Sequence, residues 1–393
     1  MKVLSITQIA EKIKKLAKQS GKIYIGDGYN VYIDTYGDRY LVSDKEDFHL
    51  LFIKSTGFTA KCGKTLEEDP PYCPFGPEIA DIEITKLCRG IRNKEGKRAV
   101  CGFCYKCLTP NGLYMSFDTF KQVFDKLNAP KTLTQIAFGT DAEASDVLNP
   151  DIWKIFDYCI ENGVTPNVTV ADIDEYTAKN LVKRCGAVAV SYYGLVDKNR
   201  CYDSVRLLLD EAAKINKKMN INIHCLLSAE TYDSVFELLE DRLKDPRLQG
   251  MGAIVFLSLK QKGRGVYFNR ITEEQFKKVV DTCFEKNISM GFDSCSAPKF
   301  LNAIKDRPDR KVLESYTEPC EKLMYSCFVD ARGSFYPCSF MEKEGDWKDG
   351  IDLLNIEDFV KEVWYHPAVV ADRAASLQCI KCNGCNTCRH YNV

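Results

Sequence analysis

The run Ala80-Asp81-Ile82-Glu83-Ile84-Thr85-Lys86-Leu87-Cys88 decides how the rest of the chain is read. Residues 81–85 have a strand pattern, and from here strands alternate with helices. Further strand patterns fall at 133–138, 167–171, 187–192, 220–226, 253–259 and 288–292. Helical patterns lie between them, at 117–127, 152–162, 175–184, 203–215, 232–243 and 273–286. The first helix opens on Ser116, a capping residue, and sets Phe117, Phe120, Phe124 and Leu127 on one face. Repeats of this kind predict an α/β fold with a parallel sheet, either doubly wound or closing towards a barrel. In a parallel barrel the working groups sit on loops beyond the C-terminal strand ends. Cys88 lies three residues past the first strand, where such a site is expected. The sequence has no Gly-x-Gly-x-x-Gly after that strand, no Walker lysine loop and no nucleophile elbow.

The flanks are of a different character. Residues 1–77 form a small α+β element, with a helix at about 4–19 and strands at 22–25 and 29–35 joined by Gly26-Asp27-Gly28. This element ends in a turn-rich loop, Asp69-Pro70-Pro71-Tyr72-Cys73-Pro74. Residues 78–305 carry the strand–helix repeats. Residues 306–393 have few helical periods and many cysteines, with a hairpin pattern in which 324–329 and 334–338 flank Asp330-Ala331-Arg332-Gly333.

With 393 residues, 45% of them hydrophobic and 28% charged, the composition is that of a soluble globular protein of two or three domains. A formal net charge of −1 provides no overall field for nucleic acid or an anionic membrane, so nucleic acid is not a favoured partner. The N-terminal helix pattern has no uninterrupted apolar core of the export type, and no run approaches a membrane span. A cytoplasmic protein with no membrane partner is expected. Nineteen cysteines in a reducing compartment are poor disulfide candidates, and clustered spacing points to metal. Cys159, Cys185, Cys201, Cys225 and Cys283 stand alone in apolar patterns and are expected in the core. Most of the others gather in Cys88 to Cys107 and Cys295 to Cys388.

In the first group Cys88 is followed by twelve residues and then Cys101-Gly102-Phe103-Cys104-Tyr105-Lys106-Cys107. Three thiolates can hold three irons of a [4Fe–4S] cluster and leave the fourth open. Four thiolates in the same window also suit structural zinc, although a zinc knuckle has no reason to follow a barrel strand. The segment resembles the radical S-adenosylmethionine (SAM) superfamily, whose signature is three cysteines after the first barrel strand, the last two spaced C-x-aromatic-C. The resemblance covers roughly residues 80–390 and departs in the first gap, which is three residues in the family and twelve here. It implies a partial (β/α)6 TIM-type barrel whose SAM-binding [4Fe–4S] cluster rests on Cys88, Cys101 and Cys104, with Cys107 as the substitute for Cys88. It also implies SAM contacts: Phe103, Gly139 and Thr140 of Gly139-Thr140-Asp141-Ala142-Glu143, Ser191 at the fourth strand end, and Arg264 of Lys262-Gly263-Arg264-Gly265. The implied activity is reductive cleavage of SAM to a 5′-deoxyadenosyl radical that abstracts hydrogen from substrate. An external one-electron donor such as flavodoxin or ferredoxin goes with it.

In the second group Cys320, Cys327 and Cys338 precede Cys379-x-x-Cys382-x-x-Cys385-x-x-Cys388. Cys320-x(12)-Gly333-x(4)-Cys338 resembles the C-x(9–15)-G-x(4)-C stretch of SPASM or shorter twitch domains, although the final run departs from the usual SPASM spacing. The resemblance implies one or two auxiliary [4Fe–4S] clusters on these seven cysteines. Seven cannot fill two four-thiolate sites, so either a ligand is missing or a single cluster forms. Cys295 is a candidate eighth ligand, with a core or substrate-contact role equally open, and His390 is a candidate replacement. Half of a zinc ribbon is the alternative for the final run. Asp141, Glu143 and Tyr192, with Asp146 and Tyr193, are strand-end candidates for proton or electron exchange, and His224, within a strand pattern, is expected to be a satisfied or ribose-facing side chain and not a metal ligand. The expected activity is an oxidoreductase-type modification of a peptide, protein or small-molecule substrate, with a peptide or protein side chain first. Modification of a nucleoside, base or aminosugar is the enzymatic alternative. A zinc-stabilised binding protein and an iron–sulfur electron carrier are the alternatives of other classes.

Overall fold

The computed structural model describes residues 5–92, 97–142, 148–383, 388 and 391. Helix α1 (Ile6–Ser20) opens with a capping box, in which the Ser5 hydroxyl accepts from the Gln8 N–H and the Gln8 side chain accepts from the Ser5 N–H. Its apolar face, Ala10 and Ile13, packs on Tyr40, Val42 and Leu51 of an antiparallel meander. The meander comprises β1 (Lys22–Ile25), β2 (Tyr29–Ile33), β3 (Arg39–Ser43), β4 (His49–Ile53) and β5 (Phe58–Cys62). The expected helix and hairpin are therefore present, and three further strands continue them. Asp34 makes the turn into β3, its carboxylate accepting from the N–H groups of Tyr36 and Asp38 at 2.8 and 3.0 Å.

The second sheet starts at β6 (Ile79–Ile82), followed by a small ribbon of β7 (Ile91–Arg92) and β8 (Arg98–Ala99). Then come α2 (Phe117–Leu127), β9 (Gln135–Ala142), α3 (Ile152–Glu161), β10 (Thr165–Val170), α4 (Glu175–Arg184) and β11 (Ala187–Tyr192). The alternation continues through α5 (Lys198–Lys214), β12 (Asn220–Leu227), α6 (Tyr232–Lys244), β13 (Ile254–Ser258), α7 (Glu273–Glu285) and β14 (Met290–Phe292). The C-terminal part holds α8 (Ala297–Ala303), α9 (Arg310–Ser315), β15 (Ser326–Val329), β16 (Ser334–Tyr336), β17 (Ile351–Asp352) and α10 (Pro367–Asn383).

All seven strand patterns expected between residues 81 and 292 are strands, and they pair in parallel in chain order from β6 and β9 to β14. The other edge of β6 takes β15, also in parallel, with β16 and β17 antiparallel beyond it. The result is a mostly parallel ten-stranded sheet in an α/β fold. The C-terminal hairpin pattern is thus β15–β16, and its first strand lies beside β6.

Period-2 alternation divides the sheet into two chemically different faces. Val168, Val170, Val188, Val190, Ile221, Ile223 and Phe256 share one core with Phe120, Ile155, Leu181, Leu208 and Phe276 of the helices. Each such buried side chain contributes about 1.5–3 kcal/mol. The five isolated cysteines sit in this core as expected, none more than 3% exposed. The opposite parity carries small and polar groups: Ala137, Asn167, Thr169, Ala189, Ser191, Asn222 and His224. No helix among the described residues is long and apolar enough to cross a membrane.

Arg39 ties the N-terminal meander to this sheet, donating from β3 to the carbonyls of Lys131 at 2.7 Å and Gly163 at 3.0 Å. Burial lowers its pKa to about 10. At the other end of the chain Trp364 donates to the Cys73 carbonyl at 2.8 Å, and the buried Arg373 donates to the carbonyls of Leu323 and Trp364.

Candidate functional site

The first cysteine group lies where the chain leaves β6. Backbone hydrogen bonds from Lys86 to Leu113 and from Cys88 to Thr109, both 2.8 Å, fold the loop back along its own entry. The long gap forms the β7–β8 ribbon, with Ile91 opposite Ala99, and residues 93–96 fall outside the described residues. Ile91 and Ser191 border the same small pocket, so the ribbon reaches the end of β11. Cys101, Cys104 and Cys107 follow in linked turns, Cys104 N–H to Cys101 carbonyl and Cys107 N–H to Cys104 carbonyl, each 3.3 Å.

Arg264 holds these turns from the far side of the sheet. Its Nε donates to the Cys101 carbonyl at 2.8 Å, one Nη to the Leu108 carbonyl at 3.3 Å, and its backbone N–H to the Cys104 carbonyl at 3.1 Å. Gly263 beside it has φ +58°, and a Cβ there would stand 2.5 Å from the Tyr105 carbonyl. Only glycine permits that approach. Phe103 packs between Tyr193, with centroids 4.8 Å apart, and the edge of Phe268 at 5.8 Å. The ends of β6, β11 and β13 therefore meet at the loop. Cys88, Cys101 and Cys104 are partly exposed, unlike the core cysteines, and this donor set fits an iron–sulfur cluster.

Other candidates have distinct placements. Gly139, Thr140 and Asp141 form a bulge at the end of β9, where Phe138 pairs with Val168 but Ala142 pairs with Val170. Such bulges re-aim the chain beside functional sites. The side chains of Thr140 and Asp141, and Glu143 and Asp146 altogether, lie outside the described residues. Tyr192 turns to the helical side, donating to the Ser234 carbonyl at 3.0 Å and stacking on Tyr202, while its neighbour Tyr193 faces the cysteine loop. His224 lies on the polar face near the Thr169 hydroxyl at 3.4 Å, and burial lowers its pKa to about 4.

A buried charge network joins the loop to the C-terminal part. Lys86 meets Glu342 at 2.6 Å and Asp330 at 3.0 Å, and Lys106 meets Glu83 at 3.2 Å and also Glu342. Tyr105 stacks on Phe340 at 4.3 Å, and Phe340 meets Tyr391 at 6.0 Å. The Tyr391 N–H donates to the Cys388 sulfur at 3.4 Å, so an aromatic bridge spans the two cysteine groups.

Beyond that bridge is a cavity of about 350 Å³ bordered by Cys295, Cys320, Cys338, Cys388, Lys260 and Asp81. The Cys295 thiol hydrogen-bonds to Cys320. Lys260 pairs with Asp293 and stands 5.0 Å over the Phe340 ring. Burial, followed by the nearby Glu321, raises Asp81 to about 6. Of the seven expected cluster ligands, Cys320, Cys338 and Cys388 come together here, whereas Cys327 is 1% exposed in the helix-packed core. Cys379 and Cys382 lie on the last turn of α10 with side chains outside the description, as are Cys385 and His390 entirely. Among the described residues no three His, Cys, Asp or Glu groups converge to hold a single metal ion. Sequence spacing left the role of Cys295 open, although its position three residues past β14 matches that of Cys88 past the strand pattern at 81–85.

No family model and no curated protein matches the chain. Among solved structures, BtrN in complex with AdoMet and 2-DOIA aligns over 80% of this chain and 93% of its own, at a TM-score of 0.40 and 12% identity. The HpcH/HpaI aldolase from Desulfitobacterium hafniense DCB-2 aligns over 58% and 83%, at 0.34 and 11%. The modular autolysin LytC from Streptococcus pneumoniae aligns over 60% and 49%, at 0.24 and 11%. At these scores the likenesses carry no argument about chemistry, and the functional reading rests on the residues.

Proposed function

We propose that this protein is a radical SAM enzyme with an auxiliary iron–sulfur site, acting on a peptide or protein side chain. The observation that carries the reading is the Cys88–Cys107 loop at the C-terminal end of the first parallel strand, clamped by Arg264 and backed by Phe103. When bound by Cys88, Cys101 and Cys104, a [4Fe–4S] cluster supplies an open iron for SAM and the electron that cleaves it to a 5′-deoxyadenosyl radical. The chain's own part is to bind, orient and shield. Arg264 fixes the carbonyls of the cysteine turns, which sets where the thiols point. The Gly139–Asp141 bulge and Ser191 line the adjacent strand ends and are assigned to the cofactor. The polar face around Asn167, Thr169 and His224 is assigned to substrate, and residues 78–305 to the catalytic domain. An external one-electron protein donor completes the system.

The test is anaerobic reconstitution with iron and sulfide, followed by a strong reductant, SAM and chromatography for 5′-deoxyadenosine. Wild type is expected to form it, and Cys104→Ala to fall to background. Iron-loaded wild type that forms none, even with candidate peptides present, would sink the proposal.

A further inference from the structure

Strand β14 (Met290–Phe292) ends one side of the ten-stranded sheet, and among the described residues no strand lies beyond it. On the side of β13, Ser289 accepts from the Ile254 N–H and Asp293 donates to the Phe256 carbonyl, both at 3.1 Å. Backbone groups alternate along a strand, so Met290 and Phe292 turn their N–H and carbonyl groups to the open side. No backbone hydrogen bond among the described residues closes either of them there. Such an edge is a template for another extended chain unless a charge, a proline or a bulge blocks it. Met290-Gly291-Phe292 carries none of these.

The space beside this edge suits a side chain. A cavity of about 390 Å³ lies between β14 and α9, walled by Phe284, Phe300, Leu313 and the largely exposed Tyr316. Its lining includes two carboxylates, Asp293 and Glu318, and no lysine or arginine, so a phosphate-bearing ligand finds no counter-charge. A small apolar molecule would fill the wall and leave the donors and acceptors of the strand unused. An extended peptide answers both, with main-chain bonds to the edge and a side chain in the pocket. Asp293 and Ser294 also border the cavity beside Lys260 and Asp81, so the two spaces adjoin at the C-terminal end of β14.

We propose that the open edge of β14 binds the substrate peptide as an added strand, with one apolar side chain seated between Phe300 and Leu313. The proposal rests on the reading of a peptide substrate given above and deepens it. Pairing extends over the three residues of β14, so recognition depends on the peptide main chain and one apolar anchor. Beyond the paired stretch the peptide passes Asp293 and Ser294 towards Lys260, and the residue to be modified lies within a short span of the anchor.

The probe is a positional-scanning library of capped, fluorescein-labelled hexapeptides, read by polarisation against the reconstituted full chain without SAM. Wild type is expected to select hexapeptides with an apolar residue at one fixed position. N-methylation of alternate amides in a selected hexapeptide is expected to weaken binding about tenfold each, and of the intervening amides less than about twofold. Met290→Pro removes an outward N–H while leaving the bonds of Gly291 and Asp293 to β13, and is expected to weaken binding at least about tenfold. The methylation series needs no variant, so it decides the matter even where a thermal melt shows Met290→Pro to be unfolded. The proposal is overturned if no hexapeptide is selected, if methylation has no alternating effect, or if folded Met290→Pro binds as wild type does. It is also overturned if sedimentation shows a wild-type dimer that Met290→Pro makes monomeric, since a second copy then occupies the edge. Because binding is read without SAM, failure here is distinguishable from a wild type that forms no 5′-deoxyadenosine.

Discussion

His224 shows how a single side chain on the polar face responds to its surroundings. Burial holds its folded-state pKa at about 4, below the ordinary 6.5. The unfolded chain therefore binds the extra proton first as pH falls, and stability from this group is full above about pH 6.5 and lost progressively towards pH 4. Asp81, raised to about 6, acts in the opposite direction over part of that window, so the difference between proteins is the useful quantity. Wild type minus His224→Asn stability, from denaturant midpoints between pH 4 and 7, is expected to rise with pH; a flat difference would refute the neutral buried imidazole. At this scale the sequence was readable where alternation was followed through. Tyr192 shares parity with Val188 and Val190, so period-2 alternation alone places it with the helices and Tyr193 across from it. Cys327 was harder, because motif spacing records order along the chain and not the direction in which a thiol points.

Among elements, the loop after β6 depends on partners far away in sequence. Lys106 lies between Glu83 and Glu342, and all three side chains are no more than 9% exposed. Lys106→Met leaves two buried carboxylates short of a counter-charge, and a loss of about 3–5 kcal/mol is expected from urea unfolding. A loss below about 1 kcal/mol would mean that water already screens the network. The parallel strands were legible because apolar runs at regular intervals need few assumptions. Their neighbours were only partly legible, since periodicity defines a face and not a partner. Nothing in Ser326–Val329 announces pairing with Ile79–Ile82, and the two-residue strands of the ribbon are too short to form a pattern.

For the whole molecule, the N-terminal meander is tied to the rest of the chain by the buried Arg39, by Tyr29 donating to the Pro130 carbonyl and by Lys61 pairing with Glu78 and Glu321. Arg39 donates to carbonyls of the loops before β9 and β10 and has no carboxylate in the salt bridges of the described residues. Arg39→Met is expected to cost about 2–4 kcal/mol and to speed proteolysis within residues 5–62, measured by thermal melt and limited digestion. Unchanged digestion would show that the apolar contacts of the meander suffice. Its strands β3 to β5 went unread because turns do not reveal how far a meander continues. The place of β15 beside β6 has a further consequence, for the order of events during synthesis. Roughly 250 residues separate these strands, which at ribosomal speed is on the order of 10–50 s. Throughout that interval one edge of β6 is an open ladder, and Lys86 and Lys106 have not yet met Asp330 and Glu342. The first cysteine loop, though translated early, is thus among the last parts to be seated, and on the function proposed above its cluster would be loaded only after translation has passed the C-terminal hairpin.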